Sequence, residues 1–102
     1  MKPEDCHTVI VNFTTTADNQ AEALTAIGDY VDSFLSRQPG FVESFLHESL
    51  DGTRIVHYAR WESEDDFKAA GAKAQSHPAL PGLRVYEPQG LGYRVRQRFP
   101  RG

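Results

Sequence analysis

What this chain of 102 residues lacks narrows its identity before any motif is read. It has one cysteine, Cys6, so it can form no intrachain disulfide, and neither a thiolate metal cluster nor a disulfide-stapled secreted scaffold fits. No apolar run approaches the roughly 20 residues that a membrane-spanning helix needs, and the N-terminal run from Met1 to His7 holds no apolar signal core. The cytoplasm is therefore the expected compartment. Positive charge is not in excess: the formal net charge is -3, which argues against nucleic acid or an anionic membrane as a general partner. Repeats, low-complexity tracts, linkers and glycine-rich phosphate-binding turns are all missing, and the four histidines show no metal-ligand spacing. The residues thus call for no metal and no cofactor.

With 39% hydrophobic and 25% charged residues, the composition is that of a globular chain, and the length fits one domain over residues 1–102. The most informative stretch runs from Gln38 to Ser63. Asp51-Gly52 tolerates the positive φ angles of a tight hairpin, and alternating apolar residues flank it. With a loop of two or four residues, Glu43 faces Arg60, Phe45 faces Tyr58, His47 faces Val56, Leu46 faces His57 and Val42 faces Trp61. Alternation then sorts the hairpin into two faces. One carries Val42, Ser44, Leu46, Ile55, His57, Ala59 and Trp61; the other carries the Glu43–Arg60 and Phe45–Tyr58 pairs with His47. A sheet apolar on both sides needs two covers, and a chain of this size has helices for only one. A second subunit is the expected other cover.

Before the hairpin, His7 to Thr15 reads as a strand in which Val9, Val11 and Phe13 alternate with Thr8, Ile10 and Asn12. A helix follows, capped by Asp18 or Asn19, with Glu22 at the capping-box position from Asn19. Its stripe is Leu24, Ile27, Gly28, Val31, Phe34 and Leu35, and Gln38-Pro39-Gly40 stops it. Ser63 caps a second helix with Glu64, Asp65 and Asp66 in its first turn, and Phe67, Ala70 and Ala74 form a thin inner stripe. That helix either lies close to the sheet or leaves space above it. His77-Pro78 ends it. The tail reads as a short strand from Leu83 to Glu87, a break at Pro88-Gln89-Gly90, and a last strand from Gly92 to Phe99 with Arg94, Arg96 and Arg98 on one side. The order strand, helix, strand, strand, helix, strand defines a ferredoxin-like α+β layout, with both helices on one face of an antiparallel sheet.

Pro39-Gly40-Phe41, Asp51-Gly52 and the run from Val56 to Ser63 resemble the antibiotic biosynthesis monooxygenase family, whose members form dimeric α+β barrels. Within that family the chain resembles the cofactor-independent oxygenases of aromatic polyketide pathways, which convert anthrone-like or naphthacenone phenols to quinones. The resemblance implies a homodimer that takes a small aromatic substrate and dioxygen. It sets Trp61 at the tryptophan that lines the family's pocket and His57 where polyketide members usually have asparagine. Leu46 and Phe67 fall where some members place tyrosines. The haem-degrading members are less similar, because their axial helix histidine has no counterpart: Trp61 precedes the helix and His77 stands at the wrong distance.

Cofactor-free oxygenation needs a flat apolar slot, a group that takes a proton, and exclusion of bulk water. His57 suits the proton step, since its ordinary pKa lies near 6.5, and Trp61 can stack on a ring and donate one hydrogen bond. Leu46 would set ring spacing, Phe67 is a further substrate-binding position, Asn12 could hold a substrate or peroxide oxygen, and His77 stands where a pocket mouth often lies. Each has a plainer reading. His57 and Trp61 also serve as core residues, Asn12 as a sheet-edge partner, His77 as a C-terminal cap and the arginines as a solvated rim. Two other functional classes use the same features: a small-aromatic binding dimer without turnover, and an isomerase or lyase of stabilised enolates.

Overall fold

A computed structural model describes residues 5–101; residues 1–4, part of the run read for a signal core, lie outside the described residues. Strands β1 (His7–Thr14), β2 (Phe41–Glu48), β3 (Arg54–Trp61) and β4 (Gln89–Tyr93) form one antiparallel sheet in the order β2-β3-β1-β4. Helices α1 (Gln20–Ser33), α2 (Glu64–Ala74) and a short α3 (Leu80–Arg84) complete the chain. This is the ferredoxin-like arrangement, with β1 and β3 as its central pair. Alternation along β3 buries Ile55, His57, Ala59 and Trp61 against the helices and leaves Val56, Tyr58 and Arg60 half-buried on the outer face.

The hairpin register holds from Glu43–Arg60 to Glu48–Ile55. Its loop is pinned from two sides. Asp51 Oδ1 accepts from Ser49 Oγ (2.9 Å), Thr53 N (2.9 Å) and Thr53 Oγ1 (2.7 Å). Those bonds, led by the Thr53 hydroxyl, hold the Asp51 carboxyl down to about 2. From the other side, the buried Gln20 amide donates to the carbonyls of Ser49 and Arg54, each at 3.1 Å, tying the start of α1 to the hairpin. The register fails at one point. A bulge between Phe41 and Glu43 puts Phe41, not Val42, opposite Trp61. The extra residue turns Val42 outward, 39% exposed, and brings the Phe41 ring edge-on to Trp61 at 5.2 Å.

Helix α1 begins after Asn19, yet the capping box to Glu22 does not form. Asn19 instead exchanges bonds with Thr16: its Oδ1 accepts from Thr16 N at 2.8 Å, and its own N–H donates to Thr16 Oγ1 at 3.2 Å. This reciprocal pair has the pattern of a capping box set one turn earlier, with Thr16 in the cap position, and it occupies the side chain that a cap at Asn19 would have used. The buried stripe of α1 is Gln20, Ala23 and Ile27, with Leu24, Ala26, Tyr30 and Val31 packed beside it. The helix stops at Ser33, and Leu35–Arg37 is a separate 3-10 turn. Gly40 then reverses the chain at φ +86°, where a Cβ would collide with the Asp66 side chain. Ser63 caps α2 as its sequence indicates, accepting from Asp66 N at 3.1 Å.

The tail differs most from its sequence pattern. Leu80–Arg84 is helical where Leu83 to Glu87 reads as a strand. Pro81 in the first turn favours the helix, Leu83 is its buried residue, and Tyr86 is buried in the turn that follows, its N–H donating to the Leu83 carbonyl at 3.2 Å. The last strand is Gln89–Tyr93 rather than Gly92 to Phe99. Its register on β1 pairs Thr8 with Tyr93 and Asn12 with Gln89, so Arg96 and Arg98 run past the start of β1 at His7, and among the described residues no strand extends over Arg94, Arg96 or Arg98. Replacing Ser63 with alanine removes the acceptor for Asp66 N. It is expected to lower stability by about 1 kcal/mol in urea unfolding, with the denaturant slope unchanged.

Candidate functional site

Across the middle of the sheet, Leu46, His57, Val11 and Gly90 form one row on the helix-facing side, one residue from each strand. Above it lies an apolar cavity of about 180 Å³. Its sheet wall includes Val11, Phe13 and His57, its α1 wall Ile27, Tyr30 and Val31, and its far wall Phe67, Gly71 and Ala74 from α2 with Leu80 and Leu83 from α3. The space exists because α2 presents small residues there: a Cβ on Gly71 would meet nothing within 4 Å. Only two lining residues, His57 and Tyr30, carry polar side-chain atoms.

His57 is 4% exposed, and its Nε2 is buried without a hydrogen-bond partner. An unpaired buried polar atom costs roughly 1–3 kcal/mol, a cost that a hydrogen-bonding group in the cavity would offset. Burial pushes the imidazole pKa down to about 4, with a smaller repulsion from His47 in the same direction. At neutral pH the ring is uncharged and able to accept a proton. A bound anion would favour the imidazolium and reverse part of the shift. His57 also lines a second, outer cleft with Asp32, Ser36, Glu43, Ser44 and Leu46, so it stands in the wall between the cavity and solvent-facing polar groups.

The other residues singled out in the sequence are dispersed. Phe67 lines the cavity with His57. Leu46 adjoins His57 across the strand pair and faces the outer cleft. Trp61 does not reach the cavity. It is fully buried between Phe41 and Phe67, the latter ring 5.7 Å away, and its indole Nε1 has no partner. Four residues along an extended strand separate it from His57 by roughly 13 Å, so the side chains cannot share one small ligand ring. Asn12 pairs with Val56 and Gln89 on the opposite face of the sheet from His57, outside the cavity. His77 lies in an outer groove, edge-on to Tyr30 at 5.2 Å, with its Nδ1 accepting from Ala79 N at 3.0 Å. Tyr30 is the residue that sequence reasoning missed. The signal was its position three after Ile27, on the helix stripe that the cavity uses.

A ferredoxin-like sheet that covers an apolar cavity with an imidazole in its wall is a candidate small-molecule site on an α+β scaffold. The chain belongs to the antibiotic biosynthesis monooxygenase family, whose family model matches residues 6–79. It is 32% identical over 96 residues to tetracenomycin-F1 monooxygenase of Streptomyces glaucescens, covering 93% of this chain and 86% of that protein. A point variant of SnoaB, a cofactor-independent oxygenase from Streptomyces nogalater, superposes with a TM-score of 0.81 at 28% identity, covering 95% of this chain and 99% of that one. The fold is also that of the monooxygenase from the gene ActVA-Orf6 of Streptomyces coelicolor, solved with nanaomycin D. That match has a TM-score of 0.81 at 24% identity and covers 99% of this chain and 96% of that one. Among the described residues no helix is long and apolar enough to cross a membrane.

The His57 shift sets a stability profile. Above pH 6.5 the ring is neutral both folded and unfolded. As pH falls, the unfolded chain takes up the proton first and the folded chain only near pH 4. Stability therefore drops between about pH 6.5 and about pH 4, by a His57 contribution on the order of 3 kcal/mol. In urea unfolding across that range, His57→Asn is expected to flatten the decline; an unchanged acid slope would assign it to other groups.

Proposed function

We propose that the protein is a cofactor-independent monooxygenase that oxidises a small electron-rich phenol to a quinone with dioxygen. The observation that carries this reading is the neutral, unpartnered His57 imidazole in the wall of an otherwise apolar cavity. The family and the relatives' activities support it. His57 takes the phenolic proton, and the apolar walls leave the resulting imidazolium as the nearest countercharge for the phenolate. The anion passes one electron to dioxygen, and the ring radical and superoxide combine with a proton to form a ring hydroperoxide. Loss of the hydrogen on that same carbon, with cleavage of the O–O bond, gives the carbonyl and water. One oxygen atom ends in the quinone and the other in water, so no external reductant is consumed.

Phe67 and Val11 bound the slot in which the ring lies, and Leu46 packs next to His57 on the side of the outer cleft. Oxygen uptake by the purified chain with 1-naphthol, without added cofactor, tests the reading. The wild type should form quinone above the spontaneous rate, and a folded His57→Ala variant should lose roughly 100-fold or more of kcat. Absence of uptake with retained binding would instead favour a binding role, and product formation insensitive to oxygen tension an isomerase.

The working unit we infer is a homodimer. On the outer face, Ile10, Phe45, Tyr58 and Leu91 form a row across all four strands, with Phe45 52% and Leu91 65% exposed. A second copy, presenting the same row, would cover it. Sedimentation should give a dimer for the wild type and a monomer for Phe45→Glu, and a monomeric wild type would refute this assembly.

A further inference from the structure

The cavity beside His57 and a larger groove of about 440 Å³ between α1 and α3 share two wall residues, Tyr30 and Leu83. Tyr30 is held from behind. Its ring meets His77 edge-on at 5.2 Å and Phe34 at 5.5 Å, and His77 also contacts Phe34 at 4.7 Å. His77 is itself fixed by the bond from Ala79 N to its Nδ1. Three rings and a backbone bond thus brace the partition, which makes it a wall rather than a loose flap.

Size then becomes decisive. An apolar protein cavity of ~150 Å³ accommodates a benzene molecule. The space beside His57, about 180 Å³, takes one ring readily and two fused rings closely. A third fused ring extending towards α1 would have to occupy the position of the Tyr30 side chain. The geometry points to Tyr30 as the residue that sets substrate size, limiting the site to one- and two-ring phenols, with His77 and Phe34 as its supports. Beyond the partition the groove offers Glu22, Asp29, Ser33 and Tyr86, a more polar setting than the cavity. Removing the Tyr30 ring would join the two spaces. This inference deepens the oxygenase reading and rests on it for the chemical class of the ligand, but ring size is a matter of binding and can be measured without turnover.

The test is calorimetric titration of the purified full chain under argon with phenol, 1-naphthol and 2-hydroxyanthracene. The wild type is expected to bind 1-naphthol at least tenfold more tightly than 2-hydroxyanthracene. Tyr30→Ala should improve binding of the three-ring probe at least tenfold and remove that preference, whereas Tyr30→Phe, which keeps the ring, should retain it. Leu83→Ala opens the same partition from α3 and serves where Tyr30→Ala does not fold. A wild type that binds 2-hydroxyanthracene as tightly as 1-naphthol, or an unchanged preference in both opened variants, would overturn the inference. Size selection without oxygen uptake would uphold the Tyr30 wall and defeat the oxygenase reading; uptake with no Tyr30 effect would do the reverse. No binding of any probe would overturn both.

Discussion

The pairing of β1 with β3 along their whole length, from His7–Trp61 to Thr14–Arg54, is the constraint on which the other features rest. It sets two central strands side by side, so Val9, Phe13, Ile55, Ala59 and Trp61 are turned to one face together and buried under the helices. A slip of one residue would send that set to the outer face and bring Ile10, Asn12, Val56 and Tyr58 inward. The candidate site follows from the same register, because it places His57 beside Val11 and, through β2, beside Leu46. The β2 bulge at Val42 leaves this row intact and adjusts only the end of the hairpin, where Phe41 closes on Trp61.

The helices then decide where the core is filled and where it is not. Phe13, Ile27, Ile55 and Leu83 pack as one cluster and Val9, Ala59, Trp61 and Ala70 as another. Val11 borders both, and the cavity opens above it. Gly71 and Ala74 are too small to close that gap. An imidazole with an unsatisfied nitrogen stands at the edge of this gap, and the burial that holds the ring neutral leaves that nitrogen's hydrogen-bonding capacity open to whatever fills the space.

The hairpin was legible in residues because Asp51-Gly52 and strict alternation specify both turn and register over a few positions. The α2 cap was legible for a similar reason, since Ser63 and Asp66 satisfy each other within one turn. The failures have a common cause in competition between local options. Asn19 could bond forward to α1 or backward to Thr16, and the turn won. Leu83 to Glu87 reads as a strand, but Leu83 and Arg84 close a helix that begins at Leu80, and Val85 and Tyr86 form the turn that follows it. Arg94 to Phe99 alternates like a strand, but alternation cannot supply a neighbour, and β1 begins at His7. Trp61 and His57 share a strand face, yet the cavity reaches only one of them, because Phe67 stands between Trp61 and the open space.

Local and near-neighbour physics therefore determined much from the chain alone: the element order up to α2, the hairpin register, the face that carries His57, and the family that this pattern marks. Those properties depend on turn chemistry, periodicity and caps, which are written within a few residues of one another. Tertiary structure alone decided that Tyr30 joins His57, that Trp61, Asn12 and His77 stand outside the cavity, and that the cavity has its present size. Each of these depends on how far α1, α2 and α3 stand from the sheet. That distance is set by the summed volumes of side chains from every element at once, and no short stretch of sequence encodes it.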